Sequence, residues 1–171
     1  MPKVCNFHNI IGISGAARSG KDTLCRGLLR VLKQEYNIEG IRKSIAGDRI
    51  KEDLYELFQS KFNLNIFTEK SEEKELIRPL LVEYGKILRK RTQGRYFIEN
   101  FKKQENAINI ITDIRYVEYP KDEGYWIKNE INGFLVFIER KNIFDANDAE
   151  KSNNKILKKY FTIYQSDTFL L

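Results

Sequence analysis

Cysteine, histidine and proline are scarce in this chain, and each shortage closes off a class of protein. The two cysteines, Cys5 and Cys25, have no paired spacing, so reduced thiols are expected and a disulfide framework is not. A single histidine, His8, leaves no zinc site to build. No apolar run approaches the roughly 20 residues of a membrane span. The opening residues MPKVCNFHNIIGIS lack the apolar core of a secretory signal. The expectation is a cytoplasmic protein with no membrane partner, in the host's cytoplasm if the chain is viral. Internal repeats, low-complexity tracts and Gly/Pro-rich linkers are also missing, which reads as one domain over residues 1–171.

What is present is an ordinary globular composition, 42% hydrophobic and 32% charged, with a formal charge of +6. A basic balance suits polyanions, either nucleic acid or small phosphates. The densest cluster, Arg89-Lys90-Arg91, reads first as a solvated helix face. With no nucleic-acid module in view, small-molecule nucleotides are the expected partners, and no stable nucleic-acid complex is. A homodimer is compatible with this reading.

Apolar runs at Ile10–Ile13, Ile108–Thr112 and Phe134–Ile138 suit buried strands of a parallel sheet. Ser44–Gly47 and Phe161–Tyr164 read as further short strands. Leu24, Leu28, Val31 and Leu32 recur at helical spacing, as do Ile50, Leu54, Leu57, Phe58 and Phe62 over a helix at 49–62. Residues 63–74 look like a surface excursion, and Pro79 like a helix start. Short helical stretches are expected at 96–101 and 147–160. Alternating strands and helices predict an α/β, three-layer, doubly wound fold. Its mostly parallel sheet has about five strands, with helices on both faces.

Between the first strand and the first helix stands Gly15-Ala-Ala-Arg-Ser-Gly-Lys-Asp-Thr23. Gly15, Gly20 and Lys21 match a phosphate-binding P-loop, whose next position is normally Ser or Thr. Backbone amides in such a turn cradle phosphate oxygens, and the helix N-terminus adds positive potential. The phosphate-binding set is therefore Gly15, Ala16, Ala17, Arg18, Ser19, Gly20, Lys21, Asp22 and Thr23. Asp22 replaces the hydroxyl. It is either a helix-start acid favoured by the dipole or, as we favour, a Mg²⁺ ligand acting directly or through water. Asp113, in Thr112-Asp-Ile-Arg115 at a strand's carboxyl end, is the second candidate for the metal, and Arg115 a candidate for a substrate phosphate.

The loop Ala17–Thr23, with Gly-Lys-Asp, resembles that of the deoxynucleoside monophosphate kinases best known from phages. Phosphomevalonate kinases of the animal type look like relatives with the same Asp. Asp113-x-Arg115-Tyr116 is similar to a strand-end motif of the family. Arg78-Pro-Leu-Leu-Val-Glu-Tyr-Gly85 with Arg89 resembles its monophosphate-site helix, with Val82 in place of a glutamine. The resemblance implies a P-loop kinase fold, ATP and Mg²⁺ as cofactors, and phosphoryl transfer to a (deoxy)nucleoside 5′-monophosphate. It implies a substrate-site helical region at about 49–103, holding Arg78, Tyr84 and Arg89, with Asp48 at its entry. Asp48 reads first as a helix N-cap for the 49–62 segment. It also implies a lid-like segment at about 140–152, from which Arg140 joins Lys21 and Arg115 in catalysis. Asn147–Glu150 is faintly similar to an acidic motif of the family, and Gln165–Thr168 to its turn near the adenine. Two alternatives stay open: a kinase of a non-nucleotide phosphate, and a nucleotide-dependent nucleic-acid-binding protein.

Overall fold

A computed structural model describes residues 9–141, 148–159 and 162–166. The chain forms two compact units, one from residues 1–43 with 102–171, the other from Ser44–Phe101.

The first unit holds the sheet. Strands β1 (Ile10–Gly15), β2 (Gly40–Lys43), β3 (Ile108–Ile111) and β4 (Phe134–Arg140) run wholly parallel in the order β2-β3-β1-β4. The backbone of β5 (Thr162–Ser166) pairs with β4, also in parallel. Parallel pairing needs crossovers, and α1 (Lys21–Tyr36) supplies the one between β1 and β2. The sequence alternates for this purpose. Leu24, Leu28, Leu29 and Leu32 of α1 pack on Ile13, Cys25, Ile110 and Ile138, all essentially sealed from solvent. Asn37, in the left-handed region, ends the helix with its N–H on the Leu32 carbonyl.

Gly12 sits on the strand face opposite Ile13, and a Cβ there would come within 2.7 Å of Ile127 and 2.8 Å of Leu135. The close approach is made by a short helix, α5 (Glu123–Tyr125), continued by a π turn over Trp126–Glu130. Trp126 and Ile127 are buried there. A further helix, α6 (Asp148–Leu157), contributes the buried Leu157.

The second unit is helical: α2 (Gly47–Leu57) with a π turn to Phe62, α3 (Ser71–Thr92) and α4 (Arg95–Glu99). Its core is Leu54, Phe58, Ile66 and Ile77, with Ile50, Leu81 and Tyr84 packed against it.

Several sequence expectations need correction. The strand expected at Ser44–Gly47 lies at Gly40–Lys43 instead. Ser44 lies two residues before the N-cap Ala46, and its Oγ accepts the N–H groups of Gly47 (2.9 Å) and Asp48 (3.3 Å). Asp48 is therefore inside the first turn of α2 and does not cap it. Pro79 does not begin a helix, because α3 starts eight residues earlier at Ser71. The acidic Glu72 and Glu73 suit that N-terminus electrostatically; residues 63–70 form the connecting loop, and it is no mere surface excursion, because it buries Ile66 in the core of this unit. The turn at 123–130 was not foreseen. No described helix is long and apolar enough to cross a membrane.

Candidate phosphate-binding site

Parallel strands bring their carboxyl ends to one edge of the sheet, and the expected phosphate loop is the continuation of β1 there. Register pairs Gly15 with Ile138, and Gly12 with Ile111. Asp113, two residues past Ile111, therefore follows β3 at the same edge as the loop. Arg140 closes β4 two residues past Ile138.

The loop's backbone is unusual in ways its residues explain. Gly15 has φ +144°, and a Cβ on it would lie 2.5 Å from the Ile138 carbonyl oxygen and 2.8 Å from Ser19 Oγ. Only glycine fits. Arg18 adopts φ 63° and Gly20 φ 103°, so left-handed residues alternate with ordinary ones through the turn. A non-glycine residue held there stores strain, which clusters at ligand-binding loops. The Ser19 N–H donates to the Ala16 carbonyl at 3.1 Å, closing the turn. Ala17 and Arg18 are exposed at its tip. Gly20 supplies no side-chain cap to α1. Amides of the first helical turn, from Lys21, Asp22 and Thr23, are thus directed toward the loop.

Three side chains give the loop its chemistry. Lys21 folds back so that its Nζ donates to the carbonyls of Gly15 and Ala16, both at 2.7 Å. Its positive charge therefore lies against the start of the loop. Ser19 is 1% exposed, and its Oγ has no hydrogen-bond partner among the described residues. A buried hydroxyl in that state is costly unless a ligand satisfies it. Asp22 is exposed at the first turn of α1 and forms an ion pair with Arg42, Oδ1 to Nη2, at 2.8 Å. Arg42 projects from β2 and also donates through Nε to Thr112 Oγ1 at 3.3 Å. Sequence reasoning passed over Arg42 because β2 was expected four residues later.

Asp113 is half-buried and Arg115 exposed, both on the segment leaving β3. That segment is fixed by an unforeseen residue. Glu123, fully buried, accepts the N–H groups of Arg115 (3.0 Å) and Tyr116 (3.3 Å) through Oε2. Neighbouring Asp122 caps α5 by accepting the Glu123 N–H at 3.0 Å. The available signal was an acid pair just before the apolar Tyr125-Trp126-Ile127, a helix-start pattern.

Arg140 is the exposed last residue of β4, with backbone in register with Ser166. It therefore belongs to a strand. Of the lid expected at 140–152, residues 142–147 lie outside the described residues and Asp148 onward is helical. Asn147 and Asp167–Thr168, both parts of resemblance motifs, also fall outside.

Four expected substrate-site residues lie in the second unit. Asp48 is exposed. Arg78 is 65% exposed and pairs with Glu75 at 3.1 Å. Tyr84 is half-buried against the core of that unit, and burial foremost, then the charge of Asp53, pushes its hydroxyl above the ordinary tyrosine range. Arg89 is 3% exposed, which corrects its reading as part of a solvated face. Around Tyr84 the unit builds a network that sequence spacing did not disclose. Asp53 accepts Tyr96 Oη at 2.7 Å and pairs with Arg49 at 2.7 Å. The hydrogen bond to Tyr96 holds the Arg49 guanidinium still more firmly protonated. Phe97 is core, at 1% exposure.

No cluster of three or more His, Cys, Asp or Glu side chains capable of holding a metal occurs among the described residues. Mg²⁺ does not need one. It keeps several waters and is bound by one or two carboxylates together with substrate phosphates. Asp22 and Asp113 offer hard oxygen donors of that kind. No protein-family model matches the chain, and no curated protein matches it in sequence.

Proposed function

We propose that this chain transfers the terminal phosphoryl group of ATP to a (deoxy)nucleoside 5′-monophosphate in the cytoplasm, within a three-layer P-loop kinase fold. One observation carries the reading. A strand ends in a turn with left-handed residues at Arg18 and Gly20, a lysine folded over its carbonyls, and a buried serine hydroxyl lacking a partner. Phosphate oxygens would satisfy Ser19 Oγ and the first-turn amides together, and would draw Lys21 Nζ away from the Gly15 and Ala16 carbonyls.

Transfer between two polyanions demands positioning and charge neutralisation more than a covalent nucleophile. Lys21 bridges the outer phosphates of the donor. Asp22 and Asp113 would hold Mg²⁺, directly or through water, and the ion would supply Lewis-acid neutralisation of the donor's charge. Arg115 offers a planar fork to an acceptor phosphate, on a segment steadied by Glu123. The acceptor is already dianionic near neutral pH, so no general base is required. Asp48, Arg78, Tyr84 and Arg89 stand in this reading as residues of the acceptor side, and Arg140 as the base of a lid. Ile127 packed on Gly12, opposite the α1 face of the sheet, supports the three-layer arrangement.

The test is a coupled ADP-release assay with Mg²⁺–ATP and a panel of acceptors. The panel comprises dAMP, dCMP, dGMP, dTMP, hydroxymethylated dCMP, their ribose counterparts and a phosphorylated non-nucleotide alcohol. ADP formation dependent on at least one nucleoside monophosphate is the expected result. Turnover with the non-nucleotide phosphate alone would reassign the acceptor. No acceptor-dependent ADP, combined with salt-sensitive retention of oligonucleotides, would replace the enzyme reading by a nucleic-acid-binding one.

A further inference from the structure

Asp22 raises an electrostatic problem for its loop. A carboxylate in the first helical turn repels the phosphates that the neighbouring amides and lysine attract. The ion pair with Arg42 answers it. The 2.8 Å contact offsets part of the carboxylate's charge, and the Nε donation to Thr112 Oγ1 holds the guanidinium on the edge of the sheet between β2 and the end of β3. Both partners are more than half exposed, at 59% and 67%. Such a pair is weak and readily exchanged.

Resting on the nucleotide-binding reading above, we propose that Arg42 is the residue that sets how strongly nucleotide binding depends on Mg²⁺. Without the metal, Arg42 screens Asp22, so free ATP can still enter the loop. With the metal bound, Asp22 would be drawn from Arg42 toward the ion. The released guanidinium keeps its tether to Thr112 at the same edge, a fixed cation beside the donor phosphates. The dependence on metal is therefore a property of the Asp22–Arg42 pair, separate from the grip of Lys21.

Two features make this more than an incidental surface bridge. Arg42 lies on β2, paired with Ile110 in the register that brings Lys43 beside Ile111, so its direction is set by the sheet. Its second hydrogen bond goes to Thr112, the residue immediately before the other metal candidate, Asp113. One guanidinium thus links the segments that carry both carboxylates.

The test is calorimetric titration of the full chain with ATP, once in Mg²⁺ and once in EDTA, giving the ratio of the two affinities. In Arg42→Gln, affinity for metal-free ATP falls roughly fivefold while Mg²⁺–ATP affinity changes less, so the ratio widens. Arg42→Lys keeps the charge and restores most of the metal-free affinity. In Asp22→Asn the ratio contracts, and adding Arg42→Gln to it no longer widens it, because the repulsion being screened is gone. Equal losses in both buffers for Arg42→Gln would make Arg42 an ordinary phosphate contact and overturn the proposal. So would an unchanged ratio accompanied by a lowered unfolding midpoint, which would make the pair merely structural. Absence of ATP uptake by the unmodified chain in Mg²⁺ would overturn the nucleotide reading itself and this proposal with it. A ratio insensitive to Arg42 overturns this proposal alone.

Discussion

The carboxylate of Glu123 accepts the backbone N–H of Arg115 at 3.0 Å, across seven intervening residues. It accepts Tyr116 N–H as well, at 3.3 Å. One side chain from α5 thereby fixes the peptide that carries Asp113 and Arg115 away from the sheet. Two backbone N–H groups on one carboxyl oxygen tie the segment at adjacent residues.

Glu123→Ala leaves two amides without their acceptor and opens a cavity in a fully buried place. The expected loss of stability is about 2–4 kcal/mol in urea unfolding. Glu123→Gln retains an accepting oxygen and should recover at least half of it. Phosphoryl transfer should fall in both variants in proportion to the mobility of Arg115. An Ala variant as stable as the parent would show that the segment is held by something else.

Lys21→Ala removes the ammonium that now lies on the Gly15 and Ala16 carbonyls. Partly exposed hydrogen bonds of this kind contribute little, so stability should change by less than about 1 kcal/mol. Transfer activity should drop by about two to three orders of magnitude or more, the cost of deleting a preorganised group at the developing charge. Turnover at the parent's rate would remove Lys21 from the chemistry.

Gly15→Ala tests the loop's backbone. The added methyl meets the Ile138 carbonyl at 2.5 Å, a backbone atom that cannot rotate aside, at a φ of +144°. Destabilisation of roughly 3 kcal/mol is expected, read from denaturant midpoints. Loss of ATP binding should accompany it, because the first amides of the loop move.

The legibility of these features followed their range. The loop and its flanking strand and helix were readable because glycine spacing and apolar periodicity are local signals, and β3 and β4 because both are continuous apolar runs. Strand β2 was misplaced because Gly40-Ile-Arg-Lys43 is largely polar. Among the described residues its only partner in the sheet is β3, so one side of its backbone escapes the demand for burial that marks a central strand. Pro79 misled because it occupies the ninth position of a 22-residue helix, where a helix normally excludes it. Its exposed position lets the chain tolerate one lost hydrogen bond. The pairs Asp22–Arg42, Glu123–Arg115 and Asp53–Tyr96 depend on tertiary contact, and nothing in residue spacing announces them.

Alkaline pH should weaken the fold in a predictable direction. Burial, the largest influence, pushes the Cys25 thiol above its ordinary value; Arg42 opposes this and Asp22 adds to it. A group whose folded value is raised contributes stability that is complete below its unfolded value and is lost as pH rises through the folded one. Tyr84 is shifted in the same sense, foremost by burial. Unfolding free energy should therefore begin to decline above the ordinary thiol value, about pH 8.5, and fall further above the ordinary tyrosine value, about pH 10; Cys25→Ala should flatten the early part of that decline. A slope identical in the variant would assign the effect elsewhere.

Ser19 separates a structural role from a binding one most sharply. Its hydroxyl is buried and lacks a partner among the described residues, so in the free protein it is a cost. Ser19→Ala removes the polar atom and leaves the Cβ in place. The free protein should be unchanged or more stable by up to about 1 kcal/mol. If phosphate oxygens satisfy that hydroxyl when ATP binds, the same variant must bind ATP more weakly, by roughly the net value of one hydrogen bond to a charged acceptor, about 1.5–3 kcal/mol. Opposite signs for stability and affinity are the signature of a group kept for a ligand. A variant that loses stability and binds ATP normally would mark Ser19 as part of the loop's internal support and withdraw it from the phosphate site.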